Sequence, residues 1–188
     1  NNKDLYLKSE DLKFLELSFS RNGIQALIIE TVLPGLELEA NKLLSYLTEN
    51  QLSINFQIRK GRRLKNTEDY SQEIDIIIGD ENGAVREYET YSGGESFRID
   101  FAIRIALSRL VSLRSGVRSP ILFIDEGFGS QDQIGQDRLR EAIQEVSNSE
   151  NYKFKKIIVI THLDSLKESF GVALEVRKSE NSSYFSLN

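Results

Sequence analysis

The spacing of apolar residues changes period along this 188-residue chain, and each change marks a different kind of element. From Lys3 to Ser20 there is no Pro or Gly, and Leu5, Leu12 and Phe19 recur at every seventh position with Leu15 near the intervening one. That spacing predicts a helix, either the end of a coiled coil or a single amphipathic helix; three heptad positions do not separate the two. Asn22-Gly23 is a helix-stop signal. Ile24 to Leu33 and Glu37 to Thr48 are predicted as two further helices around Pro34-Gly35. At Leu52 the period drops to two. Leu52, Ile54, Phe56 and Ile58 alternate with polar residues, as do Ile74, Ile76 and Ile78, so both runs read as half-buried strands. Between them, Arg59-Lys60-Gly61-Arg62-Arg63-Leu64-Lys65 reads as a turn with five basic residues in seven. Asp80-Glu81-Asn82-Gly83 marks another turn, with a third strand near Ala84 to Tyr88.

The second half has a different rhythm. Glu95 to Leu113 and Gly135 to Val146 read as helices, Ser165 to Phe170 as a short helix, and Ile121 to Ile124 and Ile157 to Ile160 as continuous apolar strands. Such strands alternating with helices predict a parallel sheet buried on both faces. Val172 to Val176 and Tyr184 to Leu187 read as closing strands. The whole is therefore an α/β chain: helices, an antiparallel meander, then a parallel sheet with flanking helices.

Composition narrows the chemistry more than the fold. A hydrophobic fraction of 39% and a charged fraction of 28% describe an ordinary globular protein. No run approaches the roughly 20 apolar residues that span a bilayer, and no N-terminal signal is present, so no membrane is expected and a cytoplasmic location fits best. With no Cys there is no thiolate nucleophile and no Cys-ligated zinc, and one His excludes His-rich metal sites. A metal here would be a hard cation on oxygen ligands, most simply Mg²⁺. The net charge of −5 argues against indiscriminate nucleic-acid binding, though not against a local basic patch. The chain begins with Asn and contains no Met, as expected of a fragment or processed piece.

Against that background a few residues carry chemistry. Ser92-Gly93-Gly94 sets two residues without Cβ before a helix, where backbone N–H groups and the helix dipole favour an anion and Ser92 can offer its hydroxyl to a phosphate oxygen. Taken alone, that turn is a weak signal. Ile121-Leu122-Phe123-Ile124 runs into Asp125-Glu126 at the carboxyl end of a strand, the edge where ligands bind in a parallel sheet. There Asp125 would reach Mg²⁺ and Glu126 would polarise an attacking water; the plainer alternative is a strand entering a solvated acidic turn. His162 follows Ile157 to Thr161 on the same edge, in position to donate to a γ-phosphate oxygen. A serine hydrolase built on Ser92 and His162 lacks a G-x-S-x-G elbow. No G-x-x-x-x-G-K-[ST] occurs in the chain, so a phosphate cradle must come from elsewhere.

Taken in order, these pieces resemble the C-terminal half of an ATP-binding-cassette head. Tyr91-Ser92-Gly93-Gly94-Glu95 is similar to the signature motif, Ile121 to Glu126 to Walker B, Gly129 to Asp132 to the D-loop, and His162 to the switch histidine. Asn22 to Glu30, Glu89 to Glu95 and Phe123 to Ser130 bring the resemblance closer, to the SbcC-type double-strand-break repair ATPases, relatives of the chromosome-maintenance proteins. The resemblance implies a split head. Residues 1–22 would end a coiled coil, and 23–188 would form the C-terminal lobe of a P-loop NTPase head, completed by an N-terminal half that brings Walker A. Two heads would close around two ATP molecules. Ser92, Gly93, Gly94 and Glu95 would then touch nucleotide held by the partner, with Glu126 and His162 catalytic, Asp125 at Mg²⁺ and Asp132 near the nucleotide.

An SbcD-type metallonuclease and double-stranded DNA are the implied partners, with nucleoid association if the source is bacterial. The fragment alone is expected to hydrolyse no ATP. An ATP-dependent structural clamp, or another genome-maintenance ATPase without a nuclease, is the alternative; a transport ATPase would carry Walker A upstream in one continuous domain and usually Gln where Glu95 stands. Two departures stand out: Tyr91 and Gln131 occupy positions where Leu is common. Arg59 to Lys65 could hold DNA phosphates or form a solvated turn, and Arg98, Arg104 and Arg109 could relay nucleotide state to the coiled coil or pair with acids.

Overall fold

Residues 2–20, 23–63, 70–116, 121–149, 152, 154–163, 166, 169–178 and 182–187 are described by a computed structural model of the chain. They form two compact units, residues 1–110 and 111–188. Among them no helix is long and apolar enough to cross a membrane.

The first unit begins with α1 (Asn2–Phe19) and α2 (Ile24–Thr48). All the large apolar residues of α1, the heptad residues among them, are exposed, so α1 presents an unburied apolar surface. Gly23 opens α2 where no larger residue fits: a Cβ there would lie 2.2 Å from the Ser18 carbonyl oxygen. The sequence predicts two helices around Pro34; instead α2 runs unbroken through it. A proline inside a helix costs about 3 kcal/mol through a lost hydrogen bond and a clash. Against that stands one continuous buried stripe, Leu33, Leu36, Ala40, Leu43, Leu44 and Leu47, whose leucines contribute about 1.5–3 kcal/mol each. The stripe wins. Gly35 lets α3 (Gly93–Ser115) come close: a Cβ there would stand 3.4 Å from Leu110 Cδ1.

The chain leaves α2 through two left-handed residues, Glu49 and Asn50, and enters β1 (Leu52–Arg63). β1 pairs antiparallel with β2 (Tyr70–Asp80), and β2 with β3 (Val85–Glu87), giving the order β1-β2-β3. The alternating isoleucines meet across the ladder, Ile54 with Ile78, Phe56 with Ile76 and Ile58 with Ile74. The outer edge of β1 is closed by side chains of α2. Asn41 Oδ1 accepts from the Ile54 N–H at 2.7 Å and its Nδ2 donates to the Ile54 carbonyl at 2.8 Å; Glu37 Oε2 accepts from the Phe56 N–H at 3.1 Å. These contacts stand in for a neighbouring strand and blunt an edge that would otherwise invite pairing.

The basic segment is corrected in part. Arg59 to Arg63 extend β1 rather than form a turn, and Arg59 pairs with Asp75 and with Glu73, the latter at 2.9 Å. Cross-strand acids hold that guanidinium and raise its pKa, the hydrogen bond to Asp75 most of all. Leu64 and Lys65 lie outside the described residues. At the next turn Asp80 Oδ1 accepts from the N–H groups of Asn82 and Ala84 at 2.9 Å each, and Gly83 supplies φ +79°.

In the second unit β4 (Ile121–Asp125) and β5 (Lys156–Ile160) pair in parallel, Ile121 beside Lys156 through Asp125 beside Ile160. Between them runs α4 (Gln133–Asn148), whose stripe Leu139, Ala142, Ile143 and Val146 is buried. β6 (Leu174–Lys178) and β7 (Ser183–Leu187) form the expected closing hairpin. Of the short helix expected from Ser165, only Leu166, Ser169 and Phe170 are described; Leu166 is helical and buried, and the rest lies outside the described residues.

The expectation of a sheet buried on both faces is not met. Ile124 is buried, but Ile121, Phe123, Ile158 and Ile160 on the opposite face are exposed, Phe123 by 63%. Continuous apolar strands promise two covered faces; within the described residues only one set of neighbours is buried.

Candidate functional site

Two clusters carry the chemistry, one in each unit. The first is the opening of α3. Tyr88 to Thr90 form a 3-10 turn, and Ser92 stands just before the helix. Ser92 Oγ donates to Glu95 Oε2 at 2.7 Å, and its N–H donates to the same oxygen at 3.2 Å. This is half of a capping box: the acid three residues into the helix satisfies a donor at its start and adds negative charge where the helix dipole favours it. The Ser92 hydroxyl is therefore engaged with Glu95 rather than presented outward. A Cβ at Gly93 would meet no atom within 4 Å, so the space before the helix is open for an anion to approach the backbone.

The turn is anchored from behind. Arg98 Nη1 donates to the Leu47 carbonyl near the end of α2 at 3.4 Å, and Arg109 pairs with Glu39, which Lys42 also reaches at 3.0 Å. The Tyr88 hydroxyl has its pKa raised, first by burial and then by its hydrogen bond to Asp100. Arg109 thus joins α3 to α2 by pairing with an acid, the plainer of the two expectations, whereas Arg98 joins them through a backbone carbonyl.

The second cluster sits at the carboxyl ends of β4 and β5. Asp125 ends β4 and is exposed. Glu126 follows in the left-handed region at φ +55°, which costs a residue with a Cβ about 1–2 kcal/mol. Two features hold it there: its N–H donates to the Ile160 carbonyl at 3.0 Å, extending the parallel ladder by one step, and Gly127 continues the tight turn at φ +95°. The Glu126 carboxylate consequently swings toward the end of β5, where its Oε1 lies 3.4 Å from His162 Nδ1. Both side chains are about two-thirds exposed, 65% and 68%. An exposed pair at that distance contributes little to stability, so the contact does not offset the strain of the turn. The Ile160 hydrogen bond and the Gly127 turn, not the histidine, hold the strained residue in place.

The loop that follows is tightly built. Phe128 is 1% exposed and anchors a 3-10 turn through Ser130, whose Oγ donates to the Gly127 carbonyl at 2.9 Å. A Cβ at Gly129 would lie 3.6 Å from His162 Cε1, so this loop runs alongside the histidine ring. Gln131 is buried, and Asp132 Oδ1 caps α4 by accepting from the Gly135 N–H at 2.8 Å. Gly135 leaves room for this cap: a Cβ there would stand 2.8 Å from both Asp132 Oδ1 and Gln131 Oε1, so those side chains would have to shift. Of the residues marked by the sequence, then, Glu126, His162 and the Gly129 loop converge in the second unit, Asp125 ends the adjoining strand, and Ser92 and Glu95 are bonded to each other in the first. The capping role of Asp132 and the burial of Gln131 went unforeseen; a polar residue three positions before a helical glycine was the available signal.

No group of three metal-ligating side chains occurs among the described residues. That donor set still fits Mg²⁺, which keeps several waters and needs only one or two carboxylates beside substrate phosphates; Asp125 and Glu126 offer hard oxygens of that kind.

The arrangement of these elements is that of the head domains of the SMC ATPases. The Smc head from Pyrococcus yayanosii, solved with a coiled coil and joint, matches 98% of this chain and 32% of its own length at a TM-score of 0.67 with 20% identity. A second solved structure, described as showing ATP-driven dimerization and DNA-stimulated activation of SMC ATPases, matches 86% of this chain and 88% of its own at 0.62. By sequence the chain is a homologue of SbcC-type proteins: it is 33% identical over 181 residues, 94% of its length, to the SbcC component of the SbcCD nuclease of Lactococcus lactis. A probable DNA double-strand break repair Rad50 ATPase of Aquifex aeolicus is 31% identical over 103 residues. The chain spans 17% of the Lactococcus protein and 10% of the Aquifex one. No family model matches it.

Proposed function

We infer that this chain is the C-terminal half of an ATP-hydrolysing head that closes with a second head around ATP and controls a nuclease acting on DNA ends in double-strand-break repair. One observation carries the reading: a glutamate held in a left-handed turn at the end of one parallel strand, its carboxylate 3.4 Å from a histidine at the end of the next. In this reading Glu126 polarises the attacking water, His162 donates to the γ-phosphate oxygen, and Asp125 holds Mg²⁺, which when bound offsets charge on the phosphates. Ser92, Gly93, Gly94 and Glu95 meet the nucleotide of the partner head through the N-terminus of α3. Asp132 closes the loop that runs beside the nucleotide.

The phosphate cradle is assigned to an N-terminal Walker A segment of the same protein. Two facts support that assignment: the relatives are several times longer than this chain, and the face of the parallel sheet bearing Phe123 and Ile158 is apolar and exposed. The names of the relatives support an SbcD-type metallonuclease and double-stranded DNA as partners. Solved Smc heads of similar fold are bound to ScpA, which supports a head surface that takes protein partners. The same reading puts the protein in the cytoplasm, associated with the nucleoid if the source is bacterial.

The test uses the full-length protein. Glu126→Gln is expected to lower ATP turnover by about 10²–10⁴-fold, the usual contribution of a general base, while ATP-dependent head association persists. Unchanged turnover in that variant would instead favour an ATP-dependent clamp that does not depend on hydrolysis.

A further inference from the structure

One side chain at the α3 opening lacks the partner that its burial calls for. The hydroxyl of Tyr91 is covered by protein and has no hydrogen-bond partner among the described residues. An unpaired covered hydroxyl carries the cost of its own desolvation. Burial raises its pKa, the charge of Arg86 opposes that rise, and the charges of Asp80 and Glu95 add to it, so the group remains a proton donor at physiological pH.

The two carboxylates that act on this hydroxyl differ in freedom. Asp80 is fixed, its Oδ1 taken by the Asn82 and Ala84 amides and its Oδ2 3.8 Å from Arg86. Glu95 has a longer stem and is held by Ser92 through Oε2. Ser92 has one hydroxyl proton, and while Glu95 accepts it no anion can. A phosphate arriving at the start of α3 would also bring negative charge toward the Glu95 carboxylate.

We propose that Glu95 is a positioning residue that changes partner when nucleotide arrives: in the resting head it holds the Ser92 hydroxyl, and in the closed head it accepts from Tyr91 instead, releasing Ser92 to donate to a phosphate oxygen. The proposal rests on the reading of Ser92 to Glu95 as a phosphate-binding turn. The exchange keeps both hydroxyls paired and releases the Ser92 N–H, with the hydroxyl, toward the incoming anion. Ser92 trades a carboxylate for a phosphate, Glu95 trades Ser92 for Tyr91, and the orphaned hydroxyl gains a partner. The exchange also gives Tyr91 a task that a leucine at the same position could not perform.

The experiment measures ATP-dependent association of the full-length protein by sedimentation across ATP concentrations, for Tyr91→Phe, Glu95→Ala and the double variant, with thermal unfolding recorded without nucleotide. Tyr91→Phe should raise the ATP concentration for half-association about tenfold, the effect of losing one hydrogen bond to a charged group. Its unfolding temperature should be unchanged or higher, because the lost hydroxyl was unpaired; a structural role would lower it. In the Glu95→Ala background the same Tyr91→Phe change should have no effect on association, since the acceptor is gone. Equal effects in the two backgrounds, or a Tyr91→Phe protein that associates like the wild type, would overturn the handover and leave the phosphate-turn reading standing. A wild-type protein that does not associate at any ATP concentration would overturn that reading and the handover together.

Discussion

The turn at Ser92 and the loop at Glu126 are both short polar segments at the mouth of a regular element, yet they are built on opposite terms. The Ser92 turn is locally satisfied: hydroxyl and amide both end on Glu95, and the helix behind it is pinned to α2 by Arg98 and Arg109. The Glu126 loop is left open, with a strained backbone, an exposed carboxylate and an exposed histidine at a loose 3.4 Å. A satisfied turn behaves as a part waiting to be displaced by a ligand. An open, strained one behaves as a part already in position. The difference suits a docking contact on one side and a reacting group on the other.

Substitutions can break that contrast, and the largest effect belongs to the open loop. Glu126→Gln should lower turnover of the full-length protein by about 10²–10⁴-fold while sparing ATP-dependent association, whereas Ser92→Ala should weaken association itself; paired measurements of turnover and sedimentation check both. If the two variants fail in the same way, the division of labour is wrong. Next in size is the scaffold beneath the satisfied turn. Leu44 is fully buried in the α2 stripe, and Leu44→Ala should lower stability by about 2–5 kcal/mol in urea titration.

Smaller effects sharpen the picture of strain. Glu126→Gly should be more stable than Glu126→Ala by about 1 kcal/mol, because only glycine adopts φ +55° without a Cβ penalty. Equal stabilities would mean that the turn relaxes and carries no strain. Asp132→Ala, which removes the cap on α4, should cost about 1 kcal/mol in thermal unfolding.

Much of this was legible in the residues themselves. The isoleucine alternation set the β1–β2 register, since slipping by one would turn Ile54 and Ile78 out of the core. Asp125-Glu126 and His162 could be placed at one edge because both follow apolar strands that lie in parallel. What misled was Pro34, whose local cost is outweighed by a buried stripe visible only when both segments are read as one helix. The basic run misled similarly: Arg59 belongs to a strand because acids at 73 and 75 stand opposite it, a cross-strand fact absent from local pattern. Asn41, a polar residue within the α2 stripe, marked the sealed edge of β1 but had no legible partner until the strand was in place. The Ser92–Glu95 bond was implicit in the S-x-x-E spacing, which fits a capping box as well as a phosphate-binding turn.

The division between the two motifs is tested most directly by mixing full-length heads carrying Ser92→Ala with heads carrying Glu126→Gln, each inactive by itself. If the two motifs serve opposite nucleotides, every mixed dimer contains one site with both groups intact, and random pairing should restore about a quarter of wild-type turnover. If mixing restores nothing, the Ser92 turn and Glu126 act on the same nucleotide within one head, and the split assignment is wrong.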